Sequence, residues 1–248
     1  MSEWFNEISE IFTTCFIEDE RWKWLLQGLG NTMIITVFAL LIGIVLGLVI
    51  AAVRSTYDMN GASMKRKGGP SYYFLKAANA VCGLFLTIIR GTPVVVQLMI
   101  MYFIIMTNVT NGVFVAVIAF GINSGAYVAE IFRSGIMSID EGQFEAGRSL
   151  GFNYIQTMIY IIIPQAIKVV LPTLFNELIV LIKETSVAGY VGVMDLTKAG
   201  DKIRGRTFEA FMPLFAVAII YLVIVIILTK ILSLLEKRLR KGERRGNR

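Results

Sequence analysis

The chain has 248 residues, 56% of them hydrophobic, with a mean hydropathy of +0.68 and a net charge of +6. A soluble domain is about 45–50% apolar, so this composition excludes one and identifies an integral membrane protein. There is no histidine, and Cys15 and Cys82 are isolated. Zinc-protease motifs, Ser-His catalysis, metal clusters and a disulfide framework are therefore excluded. The apolar runs are too long for the alternating short strands of a β-barrel.

Residues 1–23 are acidic, with Glu3, Glu7, Glu10, Glu18, Asp19 and Glu20, and carry Trp4 and Trp22. They predict a short amphipathic segment at the membrane interface. The start lacks a basic n-region, so the first membrane helix is expected to act as its own insertion signal. That first span is expected over Trp24–Val53, where Gly43 and Gly47 form a small-residue face for helix packing. Residues 54–71 read as a polar loop with the basic cluster Lys65, Arg66, Lys67. The positive-inside rule places it in the cytoplasm and the N-terminus outside.

The second span covers Tyr73–Met106 and contains Arg90-Gly91-Thr92-Pro93 followed by Val94–Gln97. Gly91 and Pro93 interrupt the helix, and Gln97 is a polar group at membrane depth. A short turn at Thr107–Asn111 leads to the third span, Gly112–Ile136. Asn123, Ser124 and Tyr127 lie deep in it. Glu130 and Arg133, three apart, can pair.

Next comes the run EGQFEAGRSLG, a polar stretch between apolar spans that can lie flat at the membrane surface. Gly147 and Gly151 are four apart, so a continuing helix places them on one face beside Phe144 and Arg148, open to a partner backbone. The fourth span, Ile155–Ile182, carries Asn176 and Glu177 and leads into Lys183-Glu184-Thr185-Ser186. Thr173, Glu177, Val180 and Glu184 share a helical face. An intramembrane carboxylate normally faces a water-filled cavity or a partner. Residues 187–209 predict a short helix and turns. The last span is Ala210–Leu235, followed by a run of cations from Lys237 to Arg248 that assigns the C-terminus to the cytoplasm. The chain thus predicts an all-α polytopic protein of about five membrane helices. Its parts are an interfacial segment (1–23), a transmembrane domain (24–236) with a cytoplasmic loop at about 137–155, and a basic tail (237–248).

Four separated runs resemble permease subunits of ATP-binding cassette (ABC) importers, in the branch for polar amino acid uptake. They are RGTPVVVQ, GAYVAEIFRSG, EAGRSLG with the downstream Pro164, and KETS. The third matches the EAA loop of those permeases at Glu145, Ala146, Gly151, Ile161 and Pro164. It departs at Gly147, in place of the second Ala, and at Ile163, in place of Leu. The resemblance implies the type I ABC importer permease fold and a bacterial inner-membrane location. It implies ATPase coupling through Phe144, Glu145, Ala146, Gly147, Arg148 and Gly151. The substrate pathway is expected to use Gln97, Asn123, Ser124, Tyr127, Asn176, Glu177, Glu184, Thr185 and Ser186. There is no Walker A pattern, so no cofactor is expected in this chain, and ATP and Mg would be bound by separate ABC ATPase subunits. The other implied partners are a second permease subunit, identical or related, an extracytoplasmic solute-binding protein, an amino acid substrate and membrane lipid, with no nucleic acid. A stand-alone secondary transporter or channel is the alternative. It would explain the intramembrane Glu residues as ion sites but leaves the EAA spacing unexplained.

Overall fold

The computed structural model describes residues 2–246, with side chains described at Trp4 and over residues 6–239. Arg248 of the basic tail lies outside the described residues. Every regular element among the described residues is helical. Ten α-helices follow in order: α1 Ser2–Phe12, α2 Trp22–Lys67, α3 Pro70–Gly91, α4 Val94–Ile100, α5 Gly112–Met137, α6 Glu141–Ser149, α7 Tyr154–Thr157, α8 Ile163–Glu184, α9 Leu196–Thr207 and α10 Phe211–Gly246. Among the described residues five stretches are long and apolar enough to cross a membrane: Trp22–Lys67, Pro70–Gly91, Gly112–Met137, Tyr154–Val191 and Phe211–Leu239.

The predicted polar loop at 54–71 is mostly helix. α2 continues to Lys67 because nothing in residues 54–67 stops it. Its polar extension is held from outside: Asp58 accepts from Arg133 at 3.0 Å, and Met59 Sδ from Tyr154 at 3.9 Å. The helix ends only at Gly68 and Gly69, both at positive φ (66° and 120°), after which Pro70 opens α3 with a φ already suited to a first helical turn. The predicted interruption at Gly91–Pro93 is present. Thr92 is extended (φ −122°, ψ 146°) as a residue before proline should be. Its hydroxyl donates to the Ile88 carbonyl at 2.8 Å, satisfying one of the acceptors left at the end of α3. A π-turn, Met158–Ile162, precedes Pro164. A wider turn relieves the clash between a proline ring and the carbonyl four residues back.

The chain forms two compact units. One holds residues up to Ala39, Val94–Phe120 and Ile179–Lys230; the other holds Leu40–Pro93, Gly121–Leu178 and residues from Ile231 on. In the second unit α2 crosses α5 at the small residues expected for packing. A β-carbon on Gly43 would lie 2.8 Å from Ser124 Oγ, and one on Gly47 2.8 Å from the Ala129 nitrogen. In the first unit Cys15 and Phe16, following α1, pack with Leu25, Leu196, Ala199, Ile203 and Val217. The predicted short helix at 187–209 is α9. Its N-cap, Asp195, is fully buried and accepts from the Lys198 and Gly189 amides at 2.5 and 3.2 Å. Asn31 and Thr32 of α2 bond the backbone on either side, at Met194 and Leu196.

Burial pushes the Asp195 carboxyl from 3.8 up to about 6, against the opposing pull of its amide donors. The folded state therefore holds a proton here that the unfolded chain releases at lower pH. The contribution to stability is full below about pH 4 and is lost as pH rises through about 6. Asparagine caps as well as aspartate and does not ionise. The thermal midpoint of Asp195→Asn relative to wild type should rise as pH increases from 4.5 to 8, measured in detergent by intrinsic fluorescence. Parallel midpoint curves would show that the carboxyl does not titrate in this way.

Candidate functional site

α6 is built to be a stiff, exposed knob. Asp140 caps its start, accepting from the Gly142 amide at 2.6 Å. The helix ends at Ser149, so Gly147 and Gly151 do not share a helical face as the spacing predicted. Gly151 sits beyond the end at φ 81°. Its amide donates to the Arg148 carbonyl at 2.9 Å and that of Phe152 to the Gly147 carbonyl at 3.0 Å, a Schellman closure. Asn153 and Gln156 then form a reciprocal capping box that opens α7.

Gly147 faces inward rather than toward a partner. A β-carbon there would lie 2.8 Å from Thr157 and 3.2 Å from Ile161. The glycine is a seat for α6 on α7 and the π-turn that follows. Glu145, Ala146 and Arg148 are exposed, Phe144 is half-buried, and Leu150 at the C-cap is 72% exposed. Leu150 was not singled out by the sequence reading. A large apolar side chain standing out beside a polar helix is the signal that it contributes to the knob.

The predicted pathway residues divide between the two units. In one, Ser124 donates to Glu177 at 3.3 Å with both side chains buried, and Asn123 is buried beside Ser124. Tyr127 receives the Arg90 guanidinium over its ring at 5.7 Å, and Asn176 is exposed. In the other, Gln97 and Ser186 are half-buried and Glu184 is the half-buried last residue of α8. Thr185 is fully buried, and its hydroxyl donates to the Ile182 carbonyl at 2.7 Å. Glu130 and Arg133 pair at 2.7 Å as their spacing predicted, and each has a further partner. Arg133 also reaches Asp58 at 3.0 Å, and Glu130 lies 3.8 Å from Arg90. The contribution of Asp58 was not visible in the sequence, because it comes from what read as a loop.

Residues 68–241 match the family described as "Binding-protein-dependent transport system inner membrane component". The chain belongs to that family. It is 38% identical over 220 residues to the glutamine transport system permease protein GlnP of Escherichia coli (strain K12), covering 87% of this chain and 93% of the relative. A putative GlnP of Rickettsia felis is 33% identical over 218 residues, covering 87% and 92%. Among solved structures, an amino acid ABC transporter crystallised with histidines superposes with a TM-score of 0.76 at 37% identity, covering 90% of this chain and 98% of that one. The inward-facing MetNI methionine ABC transporter superposes with a TM-score of 0.72 at 18% identity, covering 88% and 97%, a likeness of fold. The protein is a multi-pass inner-membrane permease subunit of an ABC importer.

In this permease subunit the seating and closure of α6 can be tested separately. Gly147→Val pushes against Thr157 and should unseat the helix, raising hydrogen exchange over residues 142–152. Gly151→Ala forces a side chain into the left-handed region at about 1–2 kcal/mol. It should speed exchange of the Gly151 and Phe152 amides roughly five- to thirtyfold. Unchanged protection in both variants would show that neither glycine holds α6.

Proposed function

We propose that this subunit imports polar amino acids and that α6 is the part through which separate ATPase subunits move it. The observation that carries the reading is α6 itself: a capped helix whose inner face is seated on α7 and whose Glu145, Arg148 and Leu150 stand out into solvent. Such a knob has exposed groups to offer and a firm connection to transmit their displacement. The chain has no Walker A pattern, so ATP and Mg are bound by the ATPase partners. A second permease subunit, identical or related, completes the pore, and an extracytoplasmic solute-binding protein delivers the amino acid. The basic Lys65-Arg66-Lys67 end of α2 and the cationic tail support a cytoplasmic placement of α6, with the N-terminus outside.

ATP favours one arrangement of the ATPase pair, and α6 follows it. The work available is the difference in nucleotide affinity between the two states. Along the path, the Ser124–Glu177 pair and Glu184 would receive the substrate's cationic end, with Gln97, Asn123, Asn176, Tyr127, Thr185 and Ser186 as further polar groups of the pathway. The likeness to glutamine permeases and to an amino acid transporter supports the substrate class.

The combined variant Phe144→Ala, Arg148→Glu should retain less than about a tenth of the ATPase subunit that wild type carries through purification, since a desolvated charge contact is worth about 2–5 kcal/mol. Full retention would remove α6 from the contact. Glu184→Gln should lower ATP-dependent uptake of a cationic amino acid more than that of a neutral one. Unchanged uptake and selectivity would take Glu184 out of the pathway.

A further inference from the structure

The second unit holds an apolar cavity of about 530 Å³ walled by α2, α5 and the stretch from α7 to α8. It is open because α2 offers only small side chains there, at Ala51, Ala52 and Ser55, where larger ones would fill the space. Phe132 of α5 and Met158, Ile163 and Ile167 complete much of the wall. Of the lining residues, Ser55, Thr56 and Tyr154 carry hydroxyls, and the others are apolar. None of them belongs to the coupling or pathway residues named above.

The hydroxyls gather at one end of the cavity. The apolar run of α2 finishes at Val53, with Ser55 and Thr56 just beyond it, and Leu48 is about 10 Å back along the helix. Tyr154 begins the apolar stretch Tyr154–Val191, and its hydroxyl meets Met59 Sδ of α2 at 3.9 Å. Ile163, Ile167 and Leu174 follow along α8. Both walls therefore run from a polar rim at the end of a span into hydrocarbon-lined depth. A phospholipid has the same gradient, from ester to acyl chain. Ser55 is only 1% exposed, and among the described residues its hydroxyl has no hydrogen-bond partner.

We infer that this cavity is a site for one acyl chain of a membrane phospholipid, whose ester carbonyl accepts from the Ser55 hydroxyl. A buried donor left unpaired is costly, and the carbonyl relieves that cost. Ordered water does not suit the space, because it needs about two to four polar partners. A helix of a second permease copy could cover apolar walls, but its carbonyls are committed to its own backbone ladder. The site requires only that the chain lies in a membrane, and does not depend on the coupling role of α6. The bound chain fills the gap between α2 and the π-turn against which α6 is seated.

The permease–ATPase complex is reconstituted in phosphatidylcholine vesicles doped with a phosphatidylcholine that carries a diazirine midway along one acyl chain. Irradiation inserts the carbene into adjacent bonds, and mass spectrometry maps the labelled peptides. Label over residues 158–167 reports the cavity, and label over residues 222–231 of α10, which present an exposed apolar face, reports ordinary lipid contact. Ala52→Trp should lower the cavity label about fivefold or more and leave the α10 label unchanged, since a filled cavity has no room for a chain. A diether analogue, which lacks the ester carbonyl, should label the wild-type cavity about threefold less than the diester, the size of one neutral hydrogen bond. Ser55→Val should abolish that difference. If Ala52→Trp loses helix content, Ala52→Leu decides the same comparison.

Cavity label that is indifferent to Ala52→Trp would be ordinary lipid contact and overturns the site. Equal labelling of wild type by diester and diether overturns it as well, as does a difference that survives in Ser55→Val. An unlabelled cavity in the wild-type complex overturns it too, and cross-linking of an Ile159→Cys variant between copies would then assign the space to a second permease subunit.

Discussion

The seat of α6 depends on one missing side chain. Residue 147 is glycine, and Thr157 and Ile161 fill the space a β-carbon would need. This close approach fixes α6 against the start of the fourth span instead of leaving it on a swinging loop. The Schellman closure at Gly151 and the capping box at Asn153–Gln156 add two backbone joints within a few residues. Short-range hydrogen bonds of this kind satisfy the orphan groups of both helix ends and stiffen the corner between them. The coupling role proposed for α6 calls for such a corner, because a compliant one would absorb the displacement.

The membrane part of the molecule was largely legible in the chain. Apolar length located the spans, except that the second, expected over Tyr73–Met106, is divided at Gly91–Pro93 into Pro70–Gly91 and a shorter apolar helix, Val94–Ile105. Gly43 and Gly47 were readable as a packing face, and the fold supplies α5 as its partner. What could not be read was decided by partners distant in sequence. Residues 54–67 are polar and carry no hydropathic signal of a membrane helix. Their helix is completed by Arg133 and Tyr154, which only the fold brings to Asp58 and Met59.

The α6 site shows the same limit from the other direction. The polar run and its EAA-like spacing marked the place, but the meaning of its glycines required knowing where the helix stops. Spacing of four implies a shared face only while a helix continues. Here the chain leaves the helix after Ser149, so one glycine is a packing seat and the other a left-handed closure. Likewise Glu130 and Arg133 were readable as a pair from their spacing. That Arg133 satisfies two carboxylates, and so leaves Arg90 with the weaker contact, was not.

These pieces lie in one unit and touch in sequence. α6 rests on Thr157, and Tyr154, one turn earlier in the same helix, donates to Met59 of α2. The residue before it, Asp58, accepts from Arg133 of α5, and Arg133 holds Glu130, which approaches Arg90 of α3. The run therefore joins α6 to α2, α5 and α3. The extension of α2 beyond its apolar section has a use in this light: without residues 54–67 in helical form, neither Asp58 nor Met59 would be in place. Displacing α7 relative to α2 must stretch the Tyr154–Met59 contact or carry Asp58 with it. Because Arg133 divides its guanidinium between Asp58 and Glu130, movement of Asp58 changes how firmly Glu130 is held, and so how much of its charge is left to Arg90. A packed helical unit has few intermediate arrangements, so on the proposed role of α6 a shift there would be passed on as a repartition of these ion pairs.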